Sequence, residues 1–157
     1  MRGASRTGWG AAIALALAVV ALDQLTKAIV RGALEPGERV DLVFGIDLAR
    51  VSNRGIAFGF LGDGGTAVLV ITAVALGAML VWFAMSPGHS GLWVAVGLLA
   101  GGAVGNLIDR VRLDAVTDFI DPPLWPAFNV ADIAITFGAA ALVLAVLQGD
   151  RDARSSP

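Results

Sequence analysis

The sequence contains no cysteine, so disulfides, thiolate metal sites and a thiol nucleophile are excluded, while the redox compartment stays open because a chain without thiols can occupy any. Histidine is almost as scarce. The single residue, His89, stands in the turn Ser86-Pro87-Gly88-His89-Ser90-Gly91 with no acid or second histidine beside it, and reads as a solvated turn residue. A histidine–carboxylate zinc site therefore lacks ligands, and no EF-hand spacing occurs. Charge is sparse too: 15% of residues are charged and the net charge is −2. With no basic run, nothing suggests a nucleic-acid partner.

What remains is apolar. Hydrophobic residues make up 57% of the 157 residues and the mean hydropathy is +0.78, which places the chain in a bilayer rather than in water. A membrane span needs about 20 mostly apolar residues. The stretches 9–30, 66–85, 92–111 and 128–147 qualify, predicting one integral membrane domain over 1–157, an all-α bundle of four transmembrane helices. Arg2 and Arg6 ahead of the run from Ala11 to Leu22 resemble an export signal, but the helical pattern continues through Asp23 to Val30, so the segment reads as a retained first span.

If all four stretches cross, parity gathers the polar residues at one membrane face. Asp23 and Lys27 fall in the half of the first span nearest that face, Asn106, Asp109 and Arg110 at the end of the third, Asn129 and Asp132 at the start of the fourth, and Asp118 in the connection between the last two. The other face has both termini and the His89 turn. Lys and Arg counts do not favour either orientation, whereas the basic tails, with Arg2, Arg6, Arg151 and Arg154, favour cytoplasmic termini. Between the first two spans, the segment 40–60 alternates apolar and polar residues between Pro36-Gly37 and Gly62-Asp63-Gly64-Gly65, predicting a small sheet against the membrane surface. Asn53-Arg54-Gly55 within it reads as a turn or bulge where glycine permits close backbone approach.

Acids at membrane depth carry the chemistry. Asp23 and Lys27, four apart, form a neutralising pair on one helix face. Asn106 with Asp109, and Asn129 with Asp132, are three apart and share faces of their helices. Asp109-Arg110 reads as an ion-paired helix end. Asp132 lies about one helical turn, ~5 Å, inside its helix. A carboxylate there must take a proton or be held by donors, and two such acids can share one proton because both cannot ionise at close range. Such a pair hydrolyses an amide without metal or covalent intermediate: the ionised acid deprotonates the attacking water and the protonated one donates to the developing oxyanion. A serine–histidine site would need His89, on the wrong face. Ser–Lys chemistry with Lys27 and Ser52 would leave the acids unaccounted for. Asp118, flanked by Val116 and by Phe119-Ile120, is the partner for Asp132 that the pattern favours over Asp109, Asp114 and Asp121. A transporter would place its acids near the midplane between repeated halves, and no repeat is evident; a structural subunit would tolerate loss of the acids.

Five ordered segments carry a resemblance: Asp23-Gln24-Leu25-Thr26-Lys27, Asn53-Arg54-Gly55-Ile56-Ala57-Phe58-Gly59, Gly101-Gly102-Ala103-Val104-Gly105-Asn106-Leu107-Ile108-Asp109-Arg110, Val116-Thr117-Asp118-Phe119-Ile120 and Phe128-Asn129-Val130-Ala131-Asp132. Together they resemble the motifs of bacterial lipoprotein signal peptidase (signal peptidase II). The resemblance implies an aspartyl endopeptidase of the bacterial inner membrane, multi-pass and monomeric, with an extracytoplasmic site. Its substrates would be prolipoproteins, cut before the diacylglyceryl-modified cysteine, among membrane lipids and without a cofactor. It implies Asp118 and Asp132 as the catalytic dyad, Asn53, Asn106, Arg110 and Asn129 lining the substrate site, and Asp23, Lys27, Gly55, Gly102, Asp109 and Ala131 supporting it. Gly102 and Gly105 would let helices approach closely. Two departures stand out: a short connection after Asp118 holding Pro122, Pro123 and Pro126, and Ile56 where a smaller alanine is common. With no metal in the scheme, cleavage of a lipid-modified precursor is expected to persist in excess chelator; loss of cleavage restored by a divalent cation would contradict it.

Overall fold

The computed structural model describes residues 6–55, 64–85 and 91–155. In chain order they form α1 (Arg6–Ala33), β1 (Arg39–Val43), β2 (Ile46–Asn53), α2 (Gly64–Met85), α3 (Leu92–Leu113), β3 (Val116–Asp121) and α4 (Val130–Ser155). Three helical segments, Gly8–Ala33, Leu92–Leu113 and Val130–Gln148, are long and apolar enough to cross a bilayer. The corresponding apolar stretch of α2, Val70–Met85, is shorter. The expected turn at His89, the boundary residues Gly62 and Asp63, and the stretch 56–60 of the expected sheet lie outside the described residues, whereas Gly64 and Gly65 begin α2.

α3 sits at the centre, packed along α1 on one side and α4 on the other, with α2 against its N-terminal part. Small residues make this possible. Gly97, Gly101 and Gly105 recur every fourth position and so line one face of α3. A methyl group on Gly101 would stand 2.7 Å from Val19 Cβ and 2.9 Å from the Ala16 carbonyl of α1. On the neighbouring face, a methyl on Gly102 would stand 2.5 Å from the Ala131 carbonyl oxygen of α4. Backbone groups cannot swing aside as side chains do, so the contacts with both neighbours depend on the missing Cβ.

At the end of the bundle away from the polar residues, Ala12, Phe83, Leu92, Ala95, Val96 and Ala145 form a buried cluster joined by Trp9, Met79 and Leu142. The Trp9 and Phe83 rings meet at 4.7 Å between centroids, tilted by 59°. Large apolar side chains elsewhere on the helices point outward, Leu17, Val74 and Phe137 each being about two-thirds exposed. That is the pattern of a bundle solvated by lipid.

The sheet is antiparallel with order β1-β2-β3. Phe44 and Gly45, at φ +56° and +75°, close the β1–β2 hairpin as a two-residue turn of the mirror-image kind that suits strand twist. Sequence alternation anticipates this hairpin but not β3. Asp118, expected in an apolar connection, lies in a strand paired with β2, with Val51 opposite Asp118 and Asn53 opposite Val116. Register irregularities fall between Leu48 and Val51 and between Asp41 and Val43, not at Asn53. Gly55 meets the other part of that expectation, with a φ of +73° and its N–H donated to Asn53 Oδ1 at 2.8 Å. Val30 and Leu34 of α1 pack with Phe119 of β3, flanked by Leu48, Ile120 and Val130, fixing the sheet to the end of α1. Arg50 of β2 strengthens the join by donating to the Arg31 and Leu34 carbonyls at 3.1 and 2.8 Å, which caps the otherwise unpaired helix end.

Gly102→Ala should lower the melting temperature in detergent, by an overpacking cost of about 1–3 kcal/mol. Gly10→Ala, where a methyl would meet nothing within 4 Å, should not. Equal melting of the two variants would show that the α3–α4 contact relaxes freely.

Candidate active site

Three helices and two strands meet at a buried polar cluster. α4 begins with a reciprocal cap: Asn129 Oδ1 accepts the Asp132 N–H at 3.0 Å, and Asp132 Oδ2 accepts the Asn129 N–H at 3.2 Å. This is the capping-box arrangement, which satisfies two orphan donors of the first turn, with the carboxylate also at the favourable end of the helix dipole. The spacing of three therefore has a local cause as well as placing both residues on one side of the helix.

Asn129, fully buried, also reaches away from its own helix. Its Nδ2 donates to Asp118 Oδ1 at 2.6 Å and to Asn106 Oδ1 at 3.2 Å. Asn106 in turn donates from Nδ2 to Asp132 Oδ1 at 2.9 Å. Asn53, delivered by the β2–β3 pairing, donates to Asp118 Oδ2 at 3.0 Å. Asp118 and Asp132 are thus linked through Asn129 directly, and again through Asn129 and Asn106, with every carboxylate oxygen accepting a hydrogen bond. The Arg110 guanidinium donates weakly to the Asn106 carbonyl of its own helix at 3.4 Å and lies within coulombic reach of Asp132, Asp118 and Asp109.

Behind this layer is a buried ion cluster. Lys27 Nζ lies 2.9 Å from Asp23 and 3.2 Å from Asp109, and donates to Asn106 Oδ1 at 3.0 Å. Lys27 and Asp23 have no exposed side-chain surface, and Asp109 has 1%. Asp23 also accepts the Ala131 N–H at 3.0 Å, so α1 holds the first turn of α4. A methyl on Gly105 would lie 2.6 Å from Asp23 Oδ2, which makes glycine there a condition of the ion pair. The expected Asp109–Arg110 ion pair is replaced: Asp109 faces Lys27 and, at 3.6 Å, Arg31, because adjacent residues on a helix do not face each other. Asp109 Oδ2 also accepts the Thr117 N–H at 3.0 Å, tying α3 to β3.

Gln24, Arg31 and Thr117 take part without being singled out by the sequence pattern. Gln24 donates at 3.1 Å to Asp23, to Asp109 and to the Gly105 carbonyl; Arg31 donates to Thr117 Oγ1 at 3.1 Å. Gln24 stands beside Asp23, and Arg31 one turn beyond Lys27, so a polar residue inside an apolar run was the available signal. Asp121, at the other end of β3, pairs with Arg39.

Burial pushes the Asp118 carboxyl up from 3.8 to about 6, opposed chiefly by the Asn53 hydrogen bond and reinforced by the neighbouring Asp132 charge; Asn129 and Lys27 pull it down. An acid so placed keeps its proton far into the range where an exposed aspartate has lost it.

The family model described as Signal peptidase (SPase) II matches residues 15–148. The chain belongs to the signal peptidase II family. Signal peptidase II members similar to it include the lipoprotein signal peptidase of Halothermothrix orenii, 37% identical over 136 residues, covering 86% of this chain and 94% of the relative. That of Nitratidesulfovibrio vulgaris is 42% identical over 137 residues, covering 81% and 83%. A bacterial membrane enzyme solved in meso at 1.9 Å superposes with a TM-score of 0.81 at 33% identity, covering 88% of this chain and 93% of that one. A second, solved at 2.3 Å, gives 0.82 at 31% identity, with 94% of each covered. Like its family, the chain is a peptidase, and a multi-pass membrane protein.

Because the native state holds the Asp118 proton more tightly than the unfolded chain, this carboxyl's contribution to stability is full below about pH 3.8 and is lost as pH rises to about 6. The size is on the order of 2–3 kcal/mol. Melting temperatures of wild type and Asp118→Asn, followed from pH 4 to 7, should therefore differ in slope, with the wild type falling more steeply. Parallel curves would mean that Asp118 ionises in the fold as easily as in the unfolded chain.

Proposed function

We propose that the protein removes the signal peptide from prolipoproteins by cutting before the diacylglyceryl-modified cysteine, with Asp118 and Asp132 as the catalytic pair. Family membership supports the substrate class, since the relatives are named lipoprotein signal peptidases. The observation that carries the assignment of residues is the Asn129 side chain, which bonds Asp118 through Nδ2 and the Asp132 N–H through Oδ1 while its own N–H bonds Asp132.

In this reading Asp118, whose burial favours the protonated form, donates to the carbonyl oxygen of the scissile amide. Asp132 takes a proton from the water as it attacks. The tetrahedral intermediate then collapses, with a proton passing to the departing amine, and one proton is again left for the pair. The four hydrogen bonds from Asn53, Asn106 and Asn129 fix the carboxylates before substrate arrives, which reduces reorganisation during reaction. Arg110, within coulombic reach of both acids, lies where it can meet substrate carbonyls, and Asn53 and Asn106 border the same space.

The apolar α2 serves as the fourth span in this scheme, with α1, α3 and α4 as the others. The sheet end is extracytoplasmic, both termini are cytoplasmic in the inner membrane, and one chain suffices for activity. Asp132 lies in the first turn of α4 and Asp118 in the strand that precedes it, which suits a scissile bond just outside the apolar part of a signal helix.

Asp118→Asn and Asp132→Asn, tested separately on a lipid-modified precursor in detergent, should each lower the cleavage rate by at least ~10²–10⁴-fold while circular dichroism and melting still report a folded protein. Retained cleavage in both variants would defeat the assignment. Cleavage of the unlipidated precursor at an equal rate would defeat the proposed recognition of the modified cysteine.

A further inference from the structure

Among the described residues, the most exposed large apolar side chains outside the spanning helices lie at one end of the sheet. Phe44 is 97% exposed, Leu124 96% and Trp125 71%, with Val43 and Leu42 more than half exposed beside them. They occupy two adjacent chain reversals. One is the Phe44-Gly45 hairpin turn; the other is the loop after β3, where Trp125 N–H approaches the Pro122 carbonyl at 3.5 Å and Phe128 pairs back onto Ile120. The two reversals touch: a methyl on Gly45 would lie 3.7 Å from Pro123 Cγ.

Neither reversal has the residues expected in water. A mirror-image hairpin turn strongly prefers Asn or Asp before its glycine, yet here a phenylalanine takes the left-handed conformation, which a bulky side chain adopts only at a cost in strain. Nothing within the fold repays that conformation with packing, since the ring is almost fully exposed. A polar Pro-Pro loop tip would likewise be ordinary; an exposed Leu-Trp pair is not. One row back along the strands the character changes abruptly. Asp41 stands opposite Asp47, and Asp47 opposite Asp121, with Arg39 paired to Asp121. The apolar cap is thus one row deep and ends at a charged line.

We infer that these two tips form a wedge that enters the lipid interface and fixes the height of the sheet, and with it Asp118, relative to the bilayer. The position of the sheet favours lipid over another protein surface. β3 follows the end of α3 and precedes the start of α4, and the cluster of Val30, Leu34 and Phe119 seats it on the end of α1. Three helices therefore end beside the sheet that carries the tips, and exposed aromatic and leucine side chains next to such helix ends are suited to act as interfacial anchors. A second copy would offer a broad face to match, whereas these side chains crown two narrow turns. The charged row limits entry to the headgroup and upper acyl region. The inference concerns where the chain rests and does not require the proposed catalytic pair.

The lack of cysteine allows a direct test, because one introduced thiol can be labelled uniquely. Leu124→Cys and Phe44→Cys would carry a nitroxide in phosphatidylcholine liposomes, with Leu17→Cys on the outer face of α1 as the bilayer reference and Glu38→Cys as the polar reference. Relaxation by oxygen relative to a water-soluble nickel complex should place labels at 44 and 124 between the two references, and clearly on the lipid side of Glu38→Cys. Adding Phe44→Ser and Trp125→Ser to the Leu124→Cys protein should shift its label toward water without changing helix content. Ratios at 44 and 124 equal to or below that of Glu38→Cys would overturn the wedge. So would spin–spin broadening that vanishes on dilution with unlabelled protein, which would assign the tips to contact between copies.

Discussion

The site depends on one buried cation. An ammonium group can only donate, so Lys27, closed off from solvent between Asp23 and Asp109, compels the oxygen of Asn106 to face it. The nitrogen of Asn106 is then left for Asp132, and the Asn106 oxygen also receives Asn129, whose remaining hydrogen goes to Asp118. A charge on the first helix thereby sets the direction of every amide between the two aspartates. Such an assembly is stabilising only when complete: withdrawing one member of a buried ion pair typically costs about 3–5 kcal/mol because the remaining charge stays desolvated. The two acids around Lys27 serve further structure, Asp23 at the Ala131 amide and Asp109 at the Thr117 amide. One cation consequently connects α1, α3, β3 and α4.

That connection has a steric precondition. The ion cluster adjoins close contacts of α3 with α1 and α4, and that approach is possible because Gly101, Gly102 and Gly105 present no side chains there. In a lipid environment the hydrophobic effect does not press helices together, so close backbone contact and buried polar bonds must supply the association. Both occur at the same few residues of α3. Specific helix packing and the arrangement of the carboxylates are consequently a single structural problem, solved by one motif in α3.

The large features of this arrangement were legible in the sequence because their causes are local. Apolar runs of bilayer length marked α1, α3 and α4, and alternation between turn residues marked the β1–β2 hairpin. The apolar stretch of α2 among the described residues is too short to establish a fourth span by length. β3 escaped because it is brief and its partner is far away: Asp118 pairs with a strand containing Val51, and such pairing is decided by tertiary context rather than by the strand's own pattern. Sequence adjacency pairs Asp109 with Arg110, whereas helical geometry directs them apart and hands Asp109 to α1. At Asn129 and Asp132 the spacing was visible and the shared face followed from it, but the same spacing also writes a helix cap. Local pattern identified the polar residues; only the fold determined their partners.

The strand that bears Asp118 is closed along the edge that β2 does not occupy. The Thr117 amide is taken by Asp109, and the Phe119 and Ile120 amides by the Phe128 carbonyl. An extended peptide cannot be captured there as an added strand, since the donors such β-augmentation requires are already engaged. A chain lying beside Asp118 would be held there by side-chain amides and the shape of the surroundings, which respond more to how it bends than to a ladder of backbone bonds.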